Sequence, residues 1–372
     1  MTMELEDRLW VQLEAAADRE ALRGHAGRGA ATARAALPAR RLIPAAAALV
    51  AVIAAVATMA TLGPHTSRLR WTAEPLGLTG SDLTAGATGF GSLWTYDLRA
   101  GQVLRVDPRT HHVTARLPLP TLLPNTALAI GDDAVWAVPV AQITHAAPSL
   151  NPSAVSAVQI DPRTARVKGR VSLRAPDGST IRPVDIVALP GAVWAWGETG
   201  ALRIDPATDR VTAAIKVPGE AIKGFAATDT RVSVVTDIGR LVSFDARTGA
   251  RLASFPVSAP TFGDKLVAIG DAVVVGAEHG SIASVDPGSG RTRWTAHLGS
   301  QPRDLTLTGG RLWILMSNPA AHRDEVLALD PGTGHVVVRV ALPGTDARSL
   351  APNGTAPLIT TDGGDIVVLS RR

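Results

Sequence analysis

The chain contains no cysteine. That absence removes disulfides, thiolate zinc sites, a catalytic thiol and a lipid-modified anchor cysteine in one step. Aromatic residues are scarce at 4%, with one tyrosine and five phenylalanines, which leaves eight tryptophans as the main large rings for a core. Charged residues make up 19% of the 372, fewer than usual. The net charge of +4 owes much to arginines in the first 41 residues. No Lys/Arg stripe interleaved with aromatics follows them, so no nucleic-acid partner is expected. A Gly-rich phosphate loop, a His-Glu-x-x-His pair and a Gly-x-Ser-x-Gly elbow are all missing.

What is present falls into three regions. Residues 3–23 place Leu5, Leu9, Leu13 and the Ala16/Ala17 pair at helical spacing, which predicts one amphipathic helix too short to be a domain. Residues 24–39 are rich in Gly, Ala and Arg and read as a flexible basic linker. Leu42–Leu62 then runs for 21 residues without a charge, long enough for one transmembrane helix. Pro44 lies in its first turn, where a missing N–H does no harm. Arg28, Arg34, Arg40 and Arg41 precede this run, against Arg68 and Arg70 after it. The positive-inside bias keeps residues 1–41 in the cytoplasm and exports the rest, so the chain is expected in the cell membrane as a single-pass protein. A cleaved leader, with a site near Ala60, is the rival; the 41 residues before the apolar run are long for one.

From residue 70 onward the sequence repeats. An Asp-led turn recurs at Asp107, Asp161, Asp205, Asp245, Asp286 and Asp330, with spacings of 54, 44, 40, 41 and 44. Each unit has an apolar run ending in a Gly-containing turn, then a second run carrying Trp94, Trp136, Trp194 or Trp313 in four units. A third strand leads into the Asp turn and an alternating strand leaves it. A period of about 43 residues with four strands predicts propeller blades, because one meander cannot bury both of its faces alone. Asp bonds backbone N–H groups two residues on, and Pro presets φ, so the recurring Asp is punctuation rather than a ring of catalytic acids.

Seven third strands are countable, ending at 107, 161, 205, 245, 286, 330 and 370. The seventh unit lacks a fourth strand, and residues 70–78, RWTAEPLGL, have the pattern of one. The expected fold is therefore all-β: a seven-bladed β-propeller over residues 70–372, closed by pairing that N-terminal strand with 366–370. Closure removes edges that would otherwise template aggregation.

At VWA…RIDPATDRVTAAI, residues 193–215, the sequence resembles the YncE-like and virginiamycin B lyase-like propellers, whose text runs VW-A, then I-D-P-x-T-G, then V-x-x-x-I. The resemblance spans roughly residues 70–372 and implies the same seven-bladed fold. The lyase's catalytic His and acidic metal ligands have no residue-by-residue match here. Quinone-dependent dehydrogenases also carry Trp-bearing propellers, but their adjacent cysteines are impossible in this chain.

Strand parity separates two faces. The first-to-second and third-to-fourth turns are short and lie at one end, while the length variation, at 139–156, 174–185 and 317–325, lies at the other. Binding is expected on the long-loop face. Counting back from the Trp position predicts a ring at the channel mouth made of Asp82, Asn125, Asp185, Gly224, Lys265, Asp304 and Arg348. On the loops themselves, Tyr96, His145, Glu198, Asp237, Glu278, His279 and His322 are candidates. The tryptophans are expected in the inter-blade core, with their indole N–H groups on backbone carbonyls.

The function expected from these features is a membrane-anchored extracytoplasmic binding or sensor module without catalysis or cofactor. It would hold a small molecule or protein on the long-loop face, and a cytoplasmic partner would meet residues 3–23. The alternative is a metal-dependent lyase or lactonase-like hydrolase, with Asp82, Asp185 and Asp304 on a divalent ion and His279 or His322 as acid/base.

Overall fold

The computed structural model describes residues 69–75, 82–119, 126–140, 155–257, 266–277, 280–318, 323–343 and 346–371. Every one of them lies within a single unit, Pro64–Arg372. The expected amphipathic helix at 3–23, the linker and the apolar run at 42–62 lie outside the described residues. No helix among the described residues is long and apolar enough to cross a membrane.

Among the described residues twenty-eight strands follow in order. A lone strand β1 (Leu69–Pro75) comes first. Blade 1 holds β2 (Leu83–Gly89), β3 (Ser92–Asp97), β4 (Gln102–Val106) and β5 (Val113–Pro118); blade 2 holds β6 (Thr126–Gly131), β7 (Ala134–Pro139), β8 (Ser156–Asp161) and β9 (Arg166–Ser172). Blade 3 comprises β10 (Asp185–Leu189), β11 (Ala192–Gly197), β12 (Gly200–Asp205) and β13 (Arg210–Ile215). In blade 4 are β14 (Ile222–Ala227), β15 (Arg231–Thr236), β16 (Arg240–Asp245) and β17 (Arg251–Pro256). Blade 5 is β18 (Leu266–Ile269), β19 (Ala272–Ala277), β20 (Ser281–Val285) and β21 (Thr292–His297). Blade 6 is β22 (Gln301–Thr308), β23 (Arg311–Asn318), β24 (Arg323–Leu329) and β25 (Val336–Pro343). The last blade has three strands of its own, β26 (Ala347–Ala351), β27 (Leu358–Thr361) and β28 (Asp365–Arg371).

These strands form seven antiparallel four-stranded sheets, and the seventh has the order β1-β28-β27-β26. The N-terminal strand thus completes the last blade, with Leu69 opposite Arg371 and Pro75 opposite Asp365. The result is the all-β, seven-bladed propeller expected from the period.

Local chemistry sets each blade's punctuation. Oδ1 of Asp107, Asp161, Asp205, Asp245, Asp286 and Asp330 accepts the N–H two residues on, at 2.7–3.1 Å. Backbone N–H donors hold the carboxyls of Asp107, Asp161, Asp205 and Asp286 below the usual carboxylate range, and for Asp245 and Asp330 the Thr248 and Thr333 hydroxyls lead, with backbone N–H groups adding to them. Five of them are half-buried and Asp330 is exposed, and each carboxylate is engaged by the turn it shapes.

Between blades the core is apolar. Trp94, Trp136, Trp194 and Trp313 are all buried at the same second-strand position. Trp194 and Trp196 of blade 3 both meet Phe225 of blade 4, with ring centroids 5.9 Å apart. The expected carbonyl partner exists for Trp313, whose Nε1 donates to Thr308 O at 3.2 Å. For Trp94, Trp136 and Trp194 no partner of the indole N–H is found among the described residues. Burying an indole is worth roughly 5 kcal/mol at ~25 cal/mol per Å², which exceeds the ~1–3 kcal/mol cost of one unmet N–H. Packing therefore decides these positions without the bond.

Candidate functional site at the loop-bearing mouth of the channel

Innermost strands begin at the long-loop face, so their first residues rim the central channel. A cavity of about 550 Å³ opens there, lined from β2, β6, β10, β22 and β26. It contains Asp185, Asp304 and Arg348 of the expected ring, together with Arg303. Asn125 and Lys265 of that ring lie outside the described residues, as do His145, Glu278, His279 and His322 among the loop candidates.

Asp304 is buried and fully engaged. Its Oδ1 accepts the N–H of Leu305 at 2.9 Å, and its Oδ2 accepts the N–H of Leu350 on the neighbouring blade at 2.7 Å. Asp324, also buried, accepts the N–H of Ala347 at 2.7 Å. Burial pushes the Asp324 carboxyl up, opposed by that N–H and by Arg303. Two carboxylates of blade 6 thus lace themselves to the innermost strand of blade 7. An innermost strand has one unpaired edge facing the channel, and these acids satisfy part of it. Asp185 is half-buried, and its Oδ1 accepts the N–H of Ile186 at 2.8 Å.

A β-bulge recurs near the start of the innermost strand in four blades: between Leu83 and Gly86, Ile222 and Gly224, Pro302 and Asp304, and Ala347 and Ser349. In three of them the bulged residue is a cation: Lys223, Arg303 and Arg348. A bulge re-aims one side chain out of the pleat, and here the freed cations turn to nearby acceptors. Lys223 Nζ lies 2.5 Å from Glu198 of blade 3. Arg303 donates to Ala347 O at 2.5 Å and to Ser317 Oγ at 3.2 Å. Arg348 grips both oxygens of Asp362 through Nε and Nη2. Sequence reading named Arg348 and Glu198 and missed Lys223, Arg303 and Asp362. The signal was there: an apolar residue followed by a cation, as Ile222-Lys223, Pro302-Arg303 and Ala347-Arg348, opens three innermost strands.

Asp82 needs a correction of register. Trp94 pairs with Ala87, so the ring position nine residues before the Trp is Ala85, whereas Asp82 precedes β2 altogether. The turn of blade 1, Phe90–Gly91, is only two residues long, and the allowance made for a longer one displaced the count. Asp82 lies instead beside Asp362 of blade 7. Burial raises its carboxyl first, a hydrogen bond to Asp362 and that neighbour's charge add to it, and Arg348 and Arg99 oppose. The two acids meet across the seam where the ring closes.

Tyr96 also moves. It lies within β3, is buried with Trp94 in the core between blades 1 and 2, and presents no loop surface. Burial raises its phenol, partly offset by a hydrogen bond with Thr126. Glu198 is half-buried on Lys223, and Asp237 is exposed with Oδ1 accepting the Ala221 N–H at 3.0 Å. Among the described residues no three His, Asp or Glu side chains converge on a position for a metal ion. Asp82, Asp185 and Asp304, the ligand set of the alternative, are not gathered, and both oxygens of Asp304 are already taken. What the mouth offers is fixed guanidinium and carboxylate groups on a rigid rim, suited to polar recognition.

Residues 195–371 match the family model described as outer membrane protein assembly factor BamB. No curated protein matches the chain. Among solved structures, the computationally designed Ika8 protein is similar with TM-score 0.57 and 15% identity, over 80% of this chain and 100% of that one. BamB from Moraxella catarrhalis is similar with TM-score 0.50 and 17% identity, over 77% of this chain and 83% of that one. At such identities the likeness is one of fold.

Proposed function

We propose that this chain is a membrane-anchored extracytoplasmic propeller that binds a protein partner on its long-loop face, in an assembly or sensing role without catalysis of its own. The observation that carries the reading is the charged rim: Lys223, Arg303 and Arg348 are lifted from three innermost strands by bulges and pre-ordered by Glu198, Ser317 and Asp362. Pre-ordered cations bind an acidic surface with little loss of side-chain entropy. The match to a family described as an outer membrane assembly factor is in keeping with a protein-binding role.

The anchor belongs to the same proposal. Leu42–Leu62 spans the bilayer, the arginines before it stay in the cytoplasm, and residues 3–23 are free there to meet a second partner. The expected ring and loop candidates (Asp82, Asp185, Asp304 and Arg348, with Glu198 and Asp237) act in this reading as rim or support for the bound partner.

The test is site-specific photo-crosslinking of the full chain in cells. Crosslinkers at Asp237 or Asp346 on the long-loop face should capture one discrete partner, and a crosslinker at Asp133 on the opposite face should not. Substituting Arg303→Glu and Arg348→Glu together should abolish the captured band. Equal capture from both faces, or a band indifferent to the two charge reversals, would reject the proposal.

A further inference from the structure

We infer that the short-turn face of blades 6, 7 and 1 rests on an anionic lipid surface, leaving the long-loop face turned outward. This rests on the anchor reading above and adds to it the orientation and the lipid contact.

The direction of β1 is the first observation. Leu69 pairs with Arg371 at the end of β28, and β28 runs toward the short-turn end. The chain therefore enters the propeller at its short-turn face, at blade 7. Only residues 63–68 separate the apolar run from β1, and six extended residues reach about 20 Å at ~3.3–3.6 Å each. A four-stranded blade is itself about 14 Å across at ~4.8 Å per strand gap. The turns beside blade 7 are thus within a tether's length of the interface, and the long loops are a strand length farther away.

The second observation is which turns these are. Between first and second strands, blades 2, 4 and 5 carry acids: Asp132 and Asp133, Asp229, and Asp271. Blades 6, 7 and 1 carry none, having Gly309–Gly310, Pro352 to Pro357, and Phe90–Gly91, and neither does blade 3 with Pro190–Gly191. The two blades flanking the chain's point of arrival expose large apolar side chains beside these first turns, Phe90 at 43% and Leu307 at 39%, whereas Val167 and Leu252, exposed in blades 2 and 4, stand on outermost strands. Phe90 has φ 53°, a left-handed conformation costly for an aromatic residue. An exposed ring held in a strained turn is a reason to look for a ligand. Arg109 and Arg311 lie on the same arc. Its two acids, Asp107 and Asp330, are turned onto their own backbone N–H groups. Aromatic and aliphatic tips among arginines are the composition of a surface that dips into anionic headgroups.

The absence of cysteine makes the test direct. Phe90→Cys, Leu307→Cys and, on the long-loop face, Ile238→Cys are each made in the full chain, labelled with an environment-sensitive fluorophore and reconstituted into phosphatidylglycerol-containing vesicles. Labels at 90 and 307 should shift to the blue, lose iodide quenching and gain quenching by spin-labelled lipid, more than in phosphatidylcholine alone. The label at 238 should stay in water. Carbonate-resistant flotation of the same samples reports the anchor. Flotation with labels 90 and 307 still open to iodide overturns the lipid contact and leaves the anchor standing; no flotation overturns both. A blue shift that persists in detergent without lipid would mean a protein contact, a second copy or another chain, and would likewise overturn it.

Discussion

Asp304 offers a sharp test of how the rim is held, because its two carboxylate oxygens serve two backbone N–H groups on different blades. Asp304→Ala leaves the N–H of Leu305 and that of Leu350 without an acceptor, and both residues are buried. A buried unmet N–H costs ~1–3 kcal/mol, and bonds to a charged acceptor are the stronger kind. Water admitted from the adjoining cavity recovers part of this, so the expected loss is about 3 kcal/mol. Asp304→Asn retains one carbonyl acceptor and turns an NH₂ toward the second N–H, so it should fall between wild type and Ala. Equilibrium urea unfolding of the full chain in detergent, with m-values compared to confirm that the denatured state is unchanged, measures both. Hydrogen exchange at Leu350 gives the local readout. If Asp304→Ala lies within about 0.5 kcal/mol of wild type, the range of an ordinary surface substitution, the carboxylate is not a staple and is free for a ligand. The reasoning about lacing between blades 6 and 7 would then fail.

Three further outcomes follow from local geometry. A Cβ at Gly197 would lie 1.9 Å from Arg182 O, a backbone atom that cannot swing aside; Gly197→Ala should cost about 3 kcal/mol by overpacking, read by the shift in the urea midpoint. Phe90→Gly removes a left-handed aromatic residue; the ~1–2 kcal/mol relieved, less the ~0.5–1 kcal/mol of added unfolded-state freedom, should leave the protein up to about 1.5 kcal/mol more stable while weakening vesicle contact. The six turn aspartates have depressed carboxyls, so their stabilisation is present above the unfolded carboxylate pKa near ~4 and is lost as pH falls through the folded values. Asp82 and Asp324 are raised and act in the opposite sense, favouring the fold below that pKa and losing the advantage as pH rises. Acid titration of the urea midpoint should therefore fall below pH ~4, and less steeply in Asp245→Asn, whose bonds from the Thr248 hydroxyl and N–H are among those lost.

Blade number and ring closure were legible because each rests on residues with a local reason to be where they are. Asp245 needs only the N–H groups of Arg247 and Thr248 to make its turn, and the turn repeats with the blade. The tryptophans likewise mark one strand position, and the register keeps them there. The mouth was less legible because its chemistry joins residues far apart in sequence. Nothing near Asp304 announces Leu350, 46 positions on, as its partner. Bulges shift the count by one within a strand, which hid Lys223 and Arg303, and the allowance for a longer first turn put Asp82 in the ring in place of Ala85. Tyr96 was misplaced for a related reason: two residues beyond Trp94 and one before Asp97, it read as a loop side chain although the strand carries it inward.

The seam that closes the ring is one of three without the second-strand tryptophan, Ser233 and Val274 standing at that position in blades 4 and 5, and that has a consequence for how the protein opens. Leu358 of blade 7 pairs with Val368 where Trp94 of blade 1 pairs with Arg105, so the closing blade has a leucine in the tryptophan's place. Polar groups fill the remaining space: Ser349 Oγ and Thr360 Oγ1 share a hydrogen bond of 2.9 Å, Gly86 lets Ser349 approach, and Asp82 lies beside Asp362. An indole contributes roughly 2 kcal/mol more than a leucine by area, and a half-buried pair of acids does not replace it. The blade is also assembled from both ends of the propeller, so its closure carries the longest loop entropy in the fold. Hydrogen exchange should therefore find β1, β26 and β27 opening before β11 and β12, whose seam holds Trp194 and Trp196 on Phe225. Vesicle reconstitution should raise protection at β1 and β28 above that in detergent, since the contact proposed for Phe90 and Leu307 straddles that blade. Uniform exchange across all seven blades would show that the missing indole is compensated locally, and the seam would lose its claim to be the first place the ring yields.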